Sequence, residues 1–267
     1  MISTATPTAT RQPKRNLLAL YLTEARFEFL KLLRVPMYSV SVLAFPVLFY
    51  VLFGAIYGGN ETQGVQVARY MVATFSAAGV LSAAMFGFGV GVATERGQGW
   101  MRLKRVSPMP PMAYFAAKMI MALLFATLAV ITLTLVALLT GLVRLEPLDW
   151  LRMYGVAMLG VFPFAALGLA VGYLFGPNSA PMVLNLLFTP LAFASGLWVP
   201  VEVLPPIVQQ VAVYLPTYHY AQLVVSTTGA TALGAVSTHL LVLAGTTVAF
   251  LALAAWAYFR DEGKTYG

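Results

Sequence analysis

From Met37 to Tyr57 the chain runs for 21 residues without a charged side chain, and similar runs recur at 70–94, 119–143, 153–175, 180–199 and 236–259. A helix rises about 1.5 Å per residue, so the first run extends about 32 Å, enough to cross the hydrocarbon core of a bilayer. Runs of this length and number predict six transmembrane helices. Composition agrees, with 60% hydrophobic and 9% charged residues, where soluble domains carry about a quarter charged residues. The spans and their connections leave no room for a soluble domain.

Residues 17–34 are too charged to span. Leu18, Tyr21, Leu22, Ala25, Phe29, Leu32 and Leu33 recur at helical spacing, with Glu24, Arg26, Glu28 and Lys31 largely on the other side. That pattern predicts an amphipathic helix lying in the membrane interface, ended by Pro36. Residues 1–16 read as a flexible N-terminus without the apolar centre of a signal peptide. Gly176-Pro177-Asn178-Ser179 predicts a tight turn. Gly87 and Gly91 stand four apart in the second run, a spacing that suits either a dimer seam or a locally flexible helix.

Lysine and arginine set the orientation. The N-terminal segment holds Arg11, Lys14, Arg15, Arg26, Lys31 and Arg34. The 95–118 connection holds Arg96, Arg102, Lys104, Arg105 and Lys118, and the tail Arg260 and Lys264. The opposite side holds only Arg69, Arg144 and Arg152. Cytoplasmic loops collect positive charge, so both termini and the 95–118 connection are expected in the cytoplasm of a multi-pass cell-membrane protein. The same rule accounts for the net charge of +7 without invoking nucleic acid.

The chain has no cysteine, which excludes disulfides, thiolate metal sites and cysteine nucleophiles. Apart from His239 near the mouth of the sixth run, the runs contain no Asp, Glu, Lys, Arg or His. That argues against a proton-driven pump or voltage sensor and for apolar or amphipathic cargo. No Gly-x-x-x-x-Gly-Lys-Ser/Thr loop occurs, so any ATPase acting with this chain is a separate polypeptide, and no cofactor is expected here. Ser195 with His219 or His239 supplies the residue types of an intramembrane serine hydrolase, a competing reading. A passive channel or assembly factor is a third. His219, between Tyr218 and Tyr220, reads as an interfacial histidine. Asn185, the most polar residue at membrane depth, suits an interhelical hydrogen bond or a substrate contact.

Three stretches carry a family resemblance. Residues 95–108 (Glu-Arg-Gly-Gln-Gly-Trp-Met-Arg-Leu-Lys-Arg-Val-Ser-Pro) resemble the Glu-Arg-x-x-Gly-Thr-Leu…Leu…Pro stretch that follows the second span of ABC-2 type transporter permeases. Residues 193–206 are similar to that family's Ser-Gly-x-x-x-Pro…Leu-Pro pattern at the outer end of span five. Leu215-Pro216-Thr217-Tyr218-His219-Tyr220 resembles its Leu-Pro-x-x-His/Tyr segment. The nearest likeness is to the small permeases of daunorubicin-resistance-type drug exporters. Gly97 departs from the pattern where a second Glu is common, and Trp100-Met101 replaces Thr-Leu.

The resemblance implies an all-α integral membrane fold: six transmembrane helices, an N-terminal interfacial helix, a cytoplasmic coupling helix and a re-entrant outer segment before the last helix. The coupling helix would run from Glu95 to Val106, presenting Glu95, Arg96, Gly97, Gly99, Trp100, Arg102, Leu103, Lys104 and Arg105 to a separate ABC ATPase subunit. Two copies of that subunit, holding ATP and Mg, are expected. Thr94 would cap the helix, and Glu95 would suit its positive end; an ordinary basic loop that fixes topology is the plainer alternative. Residues 200–235 would form an outer gate with Ser195, Gly196, Pro200, Glu202, Pro205, Pro216 and His219, its short helices dipping into the outer leaflet where protein shields their backbone. A simple interfacial anchor is the other reading. Spans two and five would line the path through Phe75, Met85, Phe86, Phe88, Asn185, Phe188 and Phe193. A second copy of the chain would complete a homodimer, exporting a drug, antibiotic or lipid-like substrate.

Overall fold

The computed structural model describes residues 17–101 and 111–262. Helix α1 (Leu17–Leu33) precedes α2 (Pro36–Tyr57), a hairpin of β1 (Glu61–Thr62) and β2 (Val65–Gln66), and α3 (Val67–Gly97). Then follow α4 (Pro111–Thr140), α5 (Pro147–Leu159), α6 (Val161–Leu174) and α7 (Ala180–Ala194). A single 3-10 turn (Val201–Val203), α8 (Pro206–Ala212) and α9 (Pro216–Ser226) lead to α10 (Val236–Glu262).

Among the described residues, five stretches are long and apolar enough to cross a membrane: α2, α3, α4, α5 with α6 as one unit, and α10. Helix α7 is shorter. Its 15 residues rise about 22 Å against a hydrocarbon core of about 30 Å. The run predicted to reach Val199 stays helical only to Ala194, because the backbone reverses at Gly196 with φ +86°. Only glycine adopts that conformation without strain. A Cβ there would also lie 2.8 Å from Val201 Cγ2, and the Tyr70 hydroxyl donates to the Gly196 carbonyl at 2.8 Å.

Helix α3 is the axis of the bundle, buried almost continuously from Tyr70 to Ala93. Lipid gives apolar side chains no reason to leave it, so helices in a bilayer associate through close packing at small residues. The tightest approach is between α3 and α6. A Cβ on Gly168 would overlap the Met85 carbonyl, and one on Gly172 would lie 2.8 Å from the Gly89 carbonyl. Gly87 and Gly91 face elsewhere within the chain. A Cβ on Gly87 would meet the Tyr38 hydroxyl at 2.9 Å, and one on Gly91 would meet Lys118 Nζ at 3.2 Å. Both positions thus meet side chains of their own chain.

Helix α1 packs against α4, with the Phe29 and Phe125 rings 5.0 Å apart. Leu18, Leu22 and Phe27 remain exposed. The expected polar face is inverted at one position: Glu28 is buried against the bundle. At the opposite end of the molecule, α9 is enclosed from Thr217 to Val225. Its Tyr220 ring lies against Gly160, where α5 gives way to α6, and its hydroxyl donates to the Ala157 carbonyl at 2.7 Å. The 200–235 segment is therefore built of short helices, as its prolines predict.

Candidate functional site

Nothing between Thr94 and Gly97 interrupts a helix, and α3 continues through them. At 31 residues it extends about 46 Å, well past a hydrocarbon core. Its last turn carries Glu95 and Arg96. Consecutive residues on a helix point about 100° apart, so the two side chains leave α3 in different directions.

Glu95 faces α1 and α4. Its carboxylate accepts from Lys118 Nζ at 3.0 Å and from the Tyr114 hydroxyl at 2.6 Å, and it also pairs with Lys31. Glu28 on α1 accepts from Lys118 at 2.9 Å and from Lys31 at 2.7 Å. Among the described residues, two carboxylates and two ammonium groups alternate. Lys118 is completely enclosed, its Nζ also 5.1 Å from the centre of the Tyr114 ring. At Lys31 burial alone would lower the pKa, but the Glu95 and Glu28 carboxylates outweigh it and raise it above the ordinary lysine value. A charge can be buried only when paired and hydrogen-bonded, so each member depends on the others.

Arg96 faces α6 and α10. Its guanidinium forks onto the Asp261 carboxylate, with Nε 2.9 Å from Oδ2. It also donates to the Gly172 and Phe175 carbonyls at 2.6 and 3.3 Å and lies 5.6 Å from the Tyr173 ring centre. The last carbonyls of a helix lack intrahelical donors and sit at its negative end, so a fixed cation there satisfies both needs. One turn of α3 is thereby tied to four other helices.

The chain then breaks. A Cβ on Gly97 would lie 2.7 Å from the Pro177 ring in the turn before α7, which explains glycine where the family pattern often has Glu. Gly99 adopts φ +74°, Trp100 is 54% exposed, and Met101 packs beside Tyr114 and Tyr173. The helix expected to begin at Glu95 does not begin there. Thr94, Glu95, Arg96 and Gly97 belong to α3, Thr94 caps nothing, and helical residues resume at Trp100. Arg102, Leu103, Lys104 and Arg105 lie outside the described residues. The membrane helices also carry more ionisable groups than their uncharged runs suggested, because α3 and α4 extend beyond those runs to include Glu95, Arg96 and Lys118.

The sequence places Lys118 in a loop and Glu28 and Lys31 on a wet face, and it gives Tyr114 and Asp261 no role. One signal was available: Tyr114, Lys118, Met121, Ala122 and Phe125 share one helical stripe, and all are buried.

The residues expected at the outer gate gather at the other end of the bundle. Ser195 and Gly196 end α7, Pro200 precedes the 3-10 turn, Pro205 precedes α8, and Pro216 opens α9. Glu202 accepts from Thr62 at 2.9 Å. His219 faces the Val213 carbonyl through Nε2 at 2.9 Å and His239 through Nδ1 at 2.7 Å. Ser195 Oγ is buried without a hydrogen-bond partner. The serine–histidine bond that a hydrolase requires is not formed.

Among the expected pathway residues, Phe75, Met85 and Phe88 are enclosed in the core of their own chain, and Phe188 nearly so. Phe75, Met85 and Phe88 thus present no surface outside their own chain in this arrangement. Phe86 is half-buried, 5.8 Å from Phe188. Asn185 and Phe193 lie on an exposed stripe of α7 with Met182, Leu186 and Thr189. Asn185 donates to the Pro181 carbonyl of its own helix at 2.9 Å and, among the described residues, bonds to no other helix.

A family model described as ABC-2 type transporter matches residues 20–228. Over 194 residues the chain is 28% identical to "Putative transport permease YvfS" of Bacillus subtilis (strain 168), a match covering 72% of this chain and 79% of that protein. The family match contains Glu28, Lys31, Glu95, Arg96 and Lys118 and stops short of His239 and Asp261.

Proposed function

The chain belongs to the ABC-2 type transporter family, and from that premise we propose that it is the membrane-spanning subunit of an ATP-driven exporter. It is a multi-pass membrane protein and no enzyme itself. Two copies of a separate ABC ATPase bind ATP and Mg and supply the energy. The observation that carries the reading is the end of α3, where Glu95 and Arg96 clamp four helices and Trp100 stands exposed immediately beyond. A push on that point reaches α1, α4, α6 and α10 together.

In this reading α7 is the sixth crossing, completed by the irregular Ser195–Pro200 stretch, and both termini face the cytoplasm of a cell-membrane protein. The 95–118 connection meets the ATPase, and the 200–235 segment closes the path on the outer side as a re-entrant gate. Because α3 is enclosed, the path runs along the α7 stripe of Asn185, Thr189 and Phe193. Lipid cannot satisfy exposed amide and hydroxyl groups, so a second copy of the chain and the cargo meet them. A path of aromatic and aliphatic side chains with a few neutral polar groups suits an apolar or amphipathic substrate, drug-, antibiotic- or lipid-like.

The test is purification of the tagged chain from its native membranes in mild detergent, followed by reconstitution into liposomes. A co-purifying Walker-type ATPase and ATP-dependent movement of a fluorescent amphiphile support the proposal. Vectorial movement with no nucleotide-hydrolysing companion would refute it.

A further inference from the structure

We propose that His219 and His239 form a proton-binding latch that holds α9 against α10 and opens in acid. His219 Nε2 faces the Val213 carbonyl, which can only accept, so Nε2 carries the hydrogen. In neutral His219, Nδ1 is then an acceptor, and the 2.7 Å contact takes its proton from His239 Nδ1. That leaves His239 Nε2 with a lone pair, buried and without a hydrogen-bond partner. Gly234, at φ +111°, leaves room beside it; a Cβ there would lie 3.3 Å away.

This arrangement accepts one proton and no more. A proton at His239 Nε2 leaves the Nδ1–Nδ1 bond intact and strengthens it as a charge-assisted bond. A second proton must go to His219 Nδ1, which sets two N–H groups and two positive charges against each other at bonding distance. The titratable group packed on both rings is Tyr218 of α9, with Tyr70 of α3 and Glu202 of the 3-10 turn beyond it. Asp149 and Arg152 on α5 pair with each other. None of these supplies a carboxylate bonded to either imidazole; among the described residues the Leu233 backbone beside His239 is the further group that favours a charged ring, and it is too weak to offset two charges at bonding distance.

Separated and solvated, the two rings can each take a proton with the ordinary histidine pKa of about 6.5. The open form then binds two protons where the closed form binds one. By linkage, its population relative to the closed form grows about tenfold for each pH unit below that value, or about 100-fold between pH 7.5 and 4.5. The transport proposal enters only in naming the outer compartment as the source of the protons.

Hydrogen exchange on the α9 amides, Thr217 to Val225, reads the opening constant however small it is. The full chain in nanodiscs is compared at pH 7.5 and 4.5 after correction for intrinsic exchange. Protection of α9 should fall about 100-fold, while a His219→Gln or His239→Gln chain, with one titrating ring in either form, should show no such fall. Protection that changes less than about threefold in the unsubstituted chain, or an equal fall in the variants, would overturn the latch; the unsubstituted arm decides should both variants fail to fold. The measurement needs neither ATP nor cargo, so its failure and that of the transport proposal are distinguishable.

Discussion

Replacing Lys118 with Met keeps the length and apolar stem of the side chain and removes one charge from the knot beneath α3. Two contacts disappear, at 2.9 Å to Glu28 and 3.0 Å to Glu95. At an effective dielectric near 20 each is worth about 6 kcal/mol of gross attraction, most of it offset by the desolvation of the ions. What decides the outcome is what remains: two buried carboxylates that have lost their enclosed cation, with Lys31, whose side chain is 44% exposed, still paired to both. Removing one partner of a buried ion pair costs about 3–5 kcal/mol, a fall in Tm on the order of 10 °C for a chain of this size. Adding Glu28→Gln removes one of the two carboxylates that faced the missing cation, and the loss should shrink to about 1–2 kcal/mol. Thermal unfolding of the parent, both single variants and the double variant in one detergent forms the double-mutant cycle. A Lys118→Met chain within about 0.5 kcal/mol of the parent, or a double variant whose loss is the plain sum of the singles, would refute the knot as an energetic unit.

Two further outcomes follow from the packing around α3. Gly168→Ala puts a methyl group into the Met85 carbonyl, a contact backbone cannot yield, so α3 and α6 must separate at a cost of about 1–3 kcal/mol; thermal unfolding checks it, with Gly155→Ala, where a Cβ meets nothing, as the neutral control. Arg96→Lys keeps the charge but loses the fork onto Asp261 and at least one carbonyl contact at the end of α6. It should cost about 1–3 kcal/mol, as thermal unfolding would show.

The membrane helices were legible because hydrocarbon imposes a length and a polarity that uncharged runs reveal directly. Their ends were not. A charged residue reads as the edge of a span, yet Lys118 is enclosed because Glu28 and Glu95 arrive from 90 and 23 residues away, and no local pattern announces that pairing. Glu28 reads as wet for the same reason. Gly87/Gly91 and Gly168/Gly172 share one spacing, but only the register between α3 and α6 decides which pair meets a backbone. At the other end, His219 and His239 were each visible as unusual residues. Their contact depends on α9 folding back against α10, which the prolines of the 200–235 segment permit without specifying.

The claim on which the rest depends is that force enters where α3 ends, beside Trp100. A photo-crosslinking benzophenone amino acid placed at position 100, in native membranes, tests it most directly, with the same group at exposed Tyr214 on the opposite end as control. A crosslinked nucleotide-binding subunit from position 100 and none from position 214 is the expected result. No such adduct from position 100, or one from position 214, would contradict it.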